Sequence, residues 1–123
     1  MNRQELEKLI LEKYNVVGDC PWAKYPEYKV FRHADTKKWF AVAMTIPRCK
    51  LGLSGDGSID VVNLKCGEEI LFSMLDEGGV FPAYHMAKGS WVSVALDGSA
   101  SDENICFILG VSYELTKSKK GQK

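Results

Sequence analysis

The stretch KWFAVAMTI, residues 38–46, decides the fold class. Large apolar side chains recur in it at every second position, at Phe40, Val42, Met44 and Ile46. The residues between them are Trp39, Ala41, Ala43 and Thr45. Successive side chains of a β-strand point to opposite faces, so this period of two predicts a strand with one face buried beneath other elements.

The same alternation appears in predicted strands at 59–65 and 90–96. We expect helices to cover the face that carries Phe40, Val42, Met44, Ile46, Val62, Leu64, Val92, Val94 and Leu96. The opposite face carries Trp39, Ala41, Ala43, Thr45, Asn63, Lys65, Trp91, Ser93 and Ala95. Small residues flanked by two tryptophans and a lysine leave room for a ligand to approach, although a packed terminal helix or plain solvent exposure is the simpler explanation.

Local signals place the remaining elements. Further strands are predicted at 29–33 and 48–53. Helices are predicted to begin at Asn2, after Gly67 and at Ser101 or Asp102. We expect Gly78-Gly79 to end the second helix, and the apolar stripe of the last helix to consist of Ile105, Ile108, Leu109, Ser112 and Leu115. The order α-β-β-β-β-α-β-α favours an α+β fold, a two-layer antiparallel sheet with helices.

Composition points to one globular domain. The chain has 123 residues, of which 46% are hydrophobic and 26% charged. We expect a single domain over residues 1–116, followed by a basic flexible tail at 117–123. No repeat or low-complexity block suggests a boundary. The formal net charge of zero excludes histone-like proteins and polybasic arms, because tight sequence-blind DNA binding needs excess positive charge.

The charges are nevertheless unevenly distributed along the chain. Residues 20–66 hold eight basic and four acidic side chains, whereas residues 67–116 hold one basic and eight acidic side chains. The candidate phosphate contacts on the predicted hairpins are Arg32, Lys37, Lys38, Arg48 and Lys50. These residues predict weak, salt-dependent DNA binding, with solubilisation of exposed strand edges as the alternative.

The cysteines predict neither a metal site nor a cofactor. Cys20, Cys49, Cys66 and Cys106 form no C-x-x-C pair, and neither histidine stands at ligand spacing from them. No apolar signal segment or membrane span is present, so we expect a reduced, cytoplasmic protein without membrane contact. Cys66 precedes a predicted helix, where a thiol pKa can fall, and His85 is a candidate base; burial as a small apolar residue is the competing interpretation.

Five ordered segments carry a family resemblance. They are VFRH at 30–33, KWFA at 38–41, VNLKC at 62–66, PAYHMAKGSWVSV at 82–94 and SYEL at 112–115. With these segments the chain resembles the MmcQ/YjbR family. One departure is that the family usually has a proline soon after N-L-K-C, where this chain has Gly67-Glu68-Glu69.

The resemblance implies a compact α+β domain likened to the secretion-chaperone fold, and a "double wing" DNA-binding label. It supplies no catalytic residues. The surface that its motifs mark consists of Lys65, Tyr84, His85, Lys88, Trp91 and Tyr113.

Two functional hypotheses follow from the sequence. The first is a monomeric, non-enzymatic domain that binds DNA weakly through the basic hairpins. The alternative is a module that binds a protein or a small ligand through the sheet face of Trp39, Trp91 and Lys65 and the loop at 82–91. Catalysis through Cys66 is a remote third hypothesis.

Overall fold

Five antiparallel strands form one sheet, with three helices packed on one side. The computed structural model describes residues 1–84, 86 and 90–117. The helices are α1 (Arg3–Tyr14), α2 (Gly67–Met74) and α3 (Asp102–Thr116). The strands are β1 (Lys29–Arg32), β2 (Trp39–Pro47), β3 (Ser58–Lys65), β4 (Val80–Pro82) and β5 (Trp91–Ala95). Their spatial order is β1-β2-β3-β5-β4, which confirms the α+β fold class with an antiparallel sheet.

The predicted starts of α1 and α3 are confirmed by their caps, whereas α2 begins at Gly67 with no side-chain hydrogen bond from its cap residue Cys66. The Asn2 side chain accepts a hydrogen bond from the Glu5 amide at 2.9 Å, and the Glu5 carboxylate accepts one from the Asn2 amide at 2.8 Å. This reciprocal pair satisfies amides that a helix start leaves without a partner. At α3 the Ser101 hydroxyl accepts from the Asn104 amide at 3.1 Å. The stripe of α3 is as predicted except at its end, where Thr116 is buried and Leu115 is 48% exposed.

Three predictions about the middle of the chain are wrong. The second helix ends at Met74 and does not extend to Gly78-Gly79. Residues 48–53 do not form a strand; Arg48–Leu51 is a 3-10 helix that ends at Gly52, where φ is +75°. Pro47 precedes this turn and has no amide hydrogen to extend a ladder. The sequence analysis also missed β4, which pairs with β5 from Val80 to Pro82. The observed order of helices and strands is therefore α-β-β-β-α-β-β-α.

A bulge in β2 reverses the predicted assignment of faces along that strand. Phe31 pairs with Ala41 but Arg32 pairs with Trp39, so Phe40 is an extra residue without a partner in β1. An extra residue shifts the alternation, and a shift of one residue moves every later side chain to the other face. Phe40 faces the helices as predicted.

Beyond the bulge, the predicted sides of β2 are exchanged. Ala41 and Ala43 face the helices, and Val42, Met44 and Ile46 face away from them. In β3 and β5 the prediction is confirmed, since the helix side carries Val62, Leu64, Val92, Val94 and Leu96.

The sheet thus has two apolar faces that differ in their cover. We call the side beneath α1, α2 and α3 the helix-covered face; its fully buried contributors include Leu6, Ile10, Ile105 and Ile108. We call the other side the loop-covered face. It is formed by Val30, Val42, Met44, Ile46, Ile59, Val61 and Ala95, and the side chains packed against it come largely from connecting segments.

Ser112 of α3 continues the hydrogen bonding between β2 and β3 at the position of the bulge. Its hydroxyl donates to the Phe40 carbonyl at 2.6 Å and accepts from the Lys65 amide at 2.9 Å. Ala41 pairs with Leu64, so Phe40 and Lys65 are the next residues along β2 and β3. The serine thereby bridges two backbone groups that belong to neighbouring strands, and it is itself fully buried.

Candidate ligand cavity on the loop-covered face

A cavity lies on the loop-covered face, between β2 and the segment that precedes β1. Its volume is about 320 Å³, within the range usual for small-molecule sites. The lining residues are Trp22, Tyr25, Tyr28, Trp39, Val42, Met44 and Met86. None of these side chains carries a charge, so the cavity offers an apolar and aromatic environment.

The segment before β1 supplies three of the four aromatic rings. This segment consists of two consecutive turns. The Tyr25 amide donates to the Trp22 carbonyl in the first turn, and the Tyr28 amide donates to the Tyr25 carbonyl in the second, each at 3.0 Å. Pro21 and Pro26 lack amide hydrogens and disfavour a continuous helix here. The chain is therefore folded into turns that place its aromatic side chains beside β2.

The rings meet nearly at right angles. Trp22 lies 5.5 Å from Trp39 and 6.1 Å from Tyr28 between ring centroids, with interplanar angles of 89° and 86°. Tyr25 stacks on Tyr28 at 4.8 Å. Edge-to-face contacts of this kind are favourable for aromatic quadrupoles, so the rings support one another as walls of the cavity.

A buried polar network anchors the segment that carries Met86. Ser93 donates to the Asn63 side-chain oxygen at 2.6 Å and accepts from the Tyr84 amide at 2.9 Å. The Asn63 amide group donates to the Tyr84 carbonyl at 2.7 Å. Asn63 and Ser93 are fully buried, and the network holds Tyr84 against the sheet two residues before Met86.

Charge near the cavity is balanced by an ion pair. The Arg32 guanidinium lies over the Trp39 ring at 5.8 Å and donates to both Asp19 carboxylate oxygens at 2.9 and 3.1 Å. The hydrogen bond from Arg32 lowers the pKa of Asp19 below its usual value. Burial raises the pKa of Tyr28, and Tyr84, Tyr25 and Glu27 add smaller contributions in the same direction.

The five predicted phosphate contacts do not form one patch. Arg32, Lys37 and Lys38 lie at the turn between β1 and β2, whereas Arg48 and Lys50 lie beyond the other end of β2. Because β2 has nine residues, about 30 Å separates the two groups at roughly 3.3 Å per residue. Arg32 is engaged by Asp19, and the Arg48 side chain donates to the Ser54 carbonyl at 3.0 Å.

The motif residues are likewise divided between the two faces. Lys65 pairs with Trp91 across β3 and β5, and both alternate with residues of the helix-covered face, which places them on the loop-covered side with Tyr84. Tyr113 lies on the helix-covered side and stacks on Tyr14 with ring centroids 4.1 Å apart. His85, Lys88 and the predicted basic tail beyond residue 117 lie outside the described residues.

The structure does not activate the Cys66 thiol. Cys66 is 2% exposed, and burial raises its pKa, which is the opposite of the shift considered from its position before α2. All four cysteines are free. Among the described residues, no group of histidine, cysteine and carboxylate side chains is arranged to hold a metal ion, and no helix is both long and apolar enough to cross a membrane.

Sequence reasoning found one wall of the cavity and missed the others. Trp39 was assigned to the face opposite the helices, where it lies. No periodic pattern in the sequence assigns Trp22, Tyr25 or Tyr28 to a helix or a strand. Their available signal was the density of aromatic residues in CPWAKYPEY, residues 20–28, which is high for an exposed loop.

Comparison with known proteins agrees with the fold. The YjbR family model matches residues 11–115. "Uncharacterized protein YyaQ" of Bacillus subtilis (strain 168) is 38% identical over 117 residues, which cover 95% of this chain and 99% of that protein.

Solved structures are also similar. A crystal structure of a Pseudomonas syringae protein has 41% identity and a TM-score of 0.92, covering 95% of this chain and 100% of the other. A crystal structure of a Deinococcus radiodurans protein, at 20% identity and a TM-score of 0.68, covers 99% of this chain and 81% of the other and shares the fold.

Proposed function

This chain belongs to the YjbR family, and we propose that it is a non-catalytic, cytoplasmic binding domain that takes a small organic ligand in the aromatic cavity. The observation that carries the proposal is the cavity itself. Its walls are four aromatic rings, its floor includes Val42 and Met44, and the loop residue Met86 is held nearby by the anchored Tyr84. Ligand sites in proteins are commonly apolar concavities of this size supported by a rigid scaffold.

Binding can be tested with a neutral probe, 3,3-dimethylbutan-1-ol, at millimolar concentration. We expect the amide and indole signals of Trp22 and Trp39 to shift in two-dimensional NMR spectra of the whole chain. Signals of Val111, which packs on the helix side, should not move. Replacing Met44 by Trp fills the cavity and should abolish the shifts.

A matched control uses an exposed apolar residue on the other side of the molecule. Phe107 of α3 is 52% exposed, and Phe107→Leu should leave the titration unchanged. Equal shifts on both sides of the sheet, or none at the solubility limit of the probe, would contradict the proposed site.

Weak DNA binding is a second candidate, and the turn between β1 and β2 favours it. Lys37 and Lys38 are adjacent and exposed at this turn, and within the described residues neither forms an ion pair. Their ammonium groups can therefore reach phosphates without first breaking such a pair. Only a few phosphates would be neutralised by so small a group, so affinity should be low and should fall with salt.

A charge-reversal comparison tests this second candidate. The double variant Lys37→Glu, Lys38→Glu should eliminate the binding of a short DNA duplex at low salt. Lys50→Glu, at the far end of β2, should leave it unchanged. Loss of binding in both variants would indicate a long-range charge effect, and binding that ignores salt would exclude phosphate recognition.

A further inference from the structure

The aromatic cavity also has features that select among ligands. Resting on the ligand-binding function proposed above, we propose that the cavity binds an organic cation with a quaternary or fully methylated ammonium group. The face of an aromatic ring is the negative end of its quadrupole and attracts such cations, and several rings around one site add their effects.

The angles between the rings favour a compact cation over a flat aromatic ligand. Trp22 is nearly perpendicular to both Trp39 and Tyr28, so these three rings present differently oriented surfaces around the cavity. A flat ligand is best held between two parallel rings. The stacked pair among the four lining rings, Tyr25 and Tyr28, is already in mutual contact at 4.8 Å and leaves no gap between its members.

The chemistry of the lining favours a methylated ammonium over a primary one. A primary ammonium has three N–H donors that must find acceptors when it leaves water. The lining provides no carboxylate, and its remaining contributors are Val42, Met44 and Met86. A fully methylated ammonium has no donor to satisfy, and its methyl groups suit the polarizable thioethers of the two methionines.

The surrounding charges permit a bound cation. The Arg32 guanidinium already lies over the Trp39 ring, so a bound cation would depend mainly on Trp22, Tyr25 and Tyr28. Arg32 donates two hydrogen bonds to the Asp19 carboxylate, whose negative charge offsets that of the guanidinium. Arg32 therefore repels a second cation less strongly. Glu27 contributes a small negative charge on the Tyr28 side, and Arg3, whose guanidinium donates to the Glu27 carbonyl, is itself paired with Glu7.

A pair of isosteric probes tests the inference. Choline and 3,3-dimethylbutan-1-ol have nearly the same shape, but only choline is charged. We expect choline to change the tryptophan fluorescence of the whole chain with an affinity about tenfold higher than that of the alcohol, since each cation–π contact to a desolvated ring has a substantial effect.

Two substitutions at one position separate the ring from its hydroxyl. Tyr28→Phe retains the ring and should bind choline as the parent does. Tyr28→Leu retains apolar volume without the ring and should weaken choline about fivefold while leaving the alcohol unaffected. If Tyr28→Leu does not fold by circular dichroism, the same pair at Tyr25, which is 46% exposed, provides the measurement.

Each outcome decides between the two proposals. Equal affinity for choline and the alcohol would overturn cation recognition and leave the ligand cavity in place. Failure of both probes to bind would overturn the proposed cavity and cation recognition with it. A tenfold preference that survives Tyr28→Leu unchanged would show that the charge is recognised elsewhere and would also overturn this inference.

Discussion

The two faces of the sheet bury similar side chains but differ in how tightly they are covered. On the helix-covered face, Ala41 and Ala43 are small enough to admit large apolar residues of the helices. On the loop-covered face, large β2 residues such as Met44 meet aromatic rings carried by turns. Helices interdigitate their side chains with a sheet along their whole length, whereas turns touch it at separate points. The aromatic cavity accordingly lies between the sheet and the turns, whereas a groove on the other side, lined by Tyr14, Phe107 and Leu115 among others, lies between α1 and α3 and is lined by no strand residue.

The largest expected contrast is between neighbouring residues that point to opposite faces. The Phe40 ring is fully buried and lies within 6 Å of Tyr14 and Tyr113, at centroid distances of 5.8 and 5.0 Å. Phe40→Ala should lower the free energy of unfolding by about 3 to 5 kcal/mol, because the space it leaves cannot collapse. Trp39→Ala, at the half-buried cavity wall, should cost only about 1 to 2 kcal/mol.

Urea titrations of both variants measure this contrast. Equal losses would mean that the loop-covered face is packed as tightly as the other. A larger loss for Trp39→Ala would reverse the comparison.

The second contrast compares two buried serines, one on each face. Ser112 connects the Phe40 carbonyl to the Lys65 amide, and both are strand backbone groups that cannot turn to other partners. Ser112→Ala should therefore cost about 2 to 3 kcal/mol, near the upper limit for leaving buried polar groups unpaired. A loss below about 1 kcal/mol, measured by the same titration, would show that a water replaces the hydroxyl.

Ser93→Ala should have a smaller effect on stability, about 1 kcal/mol. The Tyr84 amide that loses this hydrogen bond belongs to a loop, and the Asn63 side chain keeps its own hydrogen bond to the Tyr84 carbonyl. We expect instead a change at the cavity, since the loop then holds Met86 less firmly. The titration with 3,3-dimethylbutan-1-ol by NMR should show weaker binding for Ser93→Ala and unchanged binding for Ser112→Ala. The reverse pattern would mean that the Asn63–Ser93–Tyr84 network does not support the cavity.

The same contrast explains what the sequence could predict. The starts of α1 and α3 were predictable because Asn2 with Glu5, and Ser101 with Asn104, act over a single turn. The fold class followed from alternation, which depends only on neighbouring residues. Local information was sufficient for both.

The bulge and the cavity required information that no local pattern contains. The phase of β2 depends on β1, which pairs around the extra residue Phe40, and on Ser112, which lies seventy-two residues further along the chain. The cavity depends on rings from a segment with no period, folded by two turns. Pairing across a sheet is set by distant partners, so a single strand read alone gave the wrong face for Val42, Met44 and Ile46.

The smallest expected effect concerns the polar groups of the two faces and their response to pH. On the helix-covered side, His33 is 4% exposed and its Nε2 lies 2.8 Å from the Thr116 hydroxyl. Thr116 donates its own hydrogen to the Ser112 carbonyl at 2.7 Å, so His33 is the donor in this contact. Burial lowers the pKa of His33 below its ordinary value of 6.5, with the Asp35 and Glu114 carboxylates acting in the opposite direction.

The lowered pKa of His33 makes the contribution of this residue to the free energy of unfolding depend on pH. The contribution is greatest where the ring is neutral in both the folded and the unfolded chain. This contribution is complete above about pH 6.5 and is lost as the pH falls through that value toward the folded-state pKa, because the unfolded chain then binds the proton more readily. Asn63 and Ser93 on the loop-covered side do not titrate, and the lowered pKa of Asp19 affects stability only at lower pH, so the slope between pH 7.5 and pH 5 should come from the helix-covered face. Urea midpoints between pH 7.5 and pH 5 should fall for the parent chain, and should fall less for His33→Gln, whose amide can still donate to Thr116. His85→Gln is the matched control, since the chain has two histidines. If the pH dependence of the urea midpoint disappears in His85→Gln and persists in His33→Gln, the titrating residue is His85. The predicted pH difference between the two faces would then be wrong.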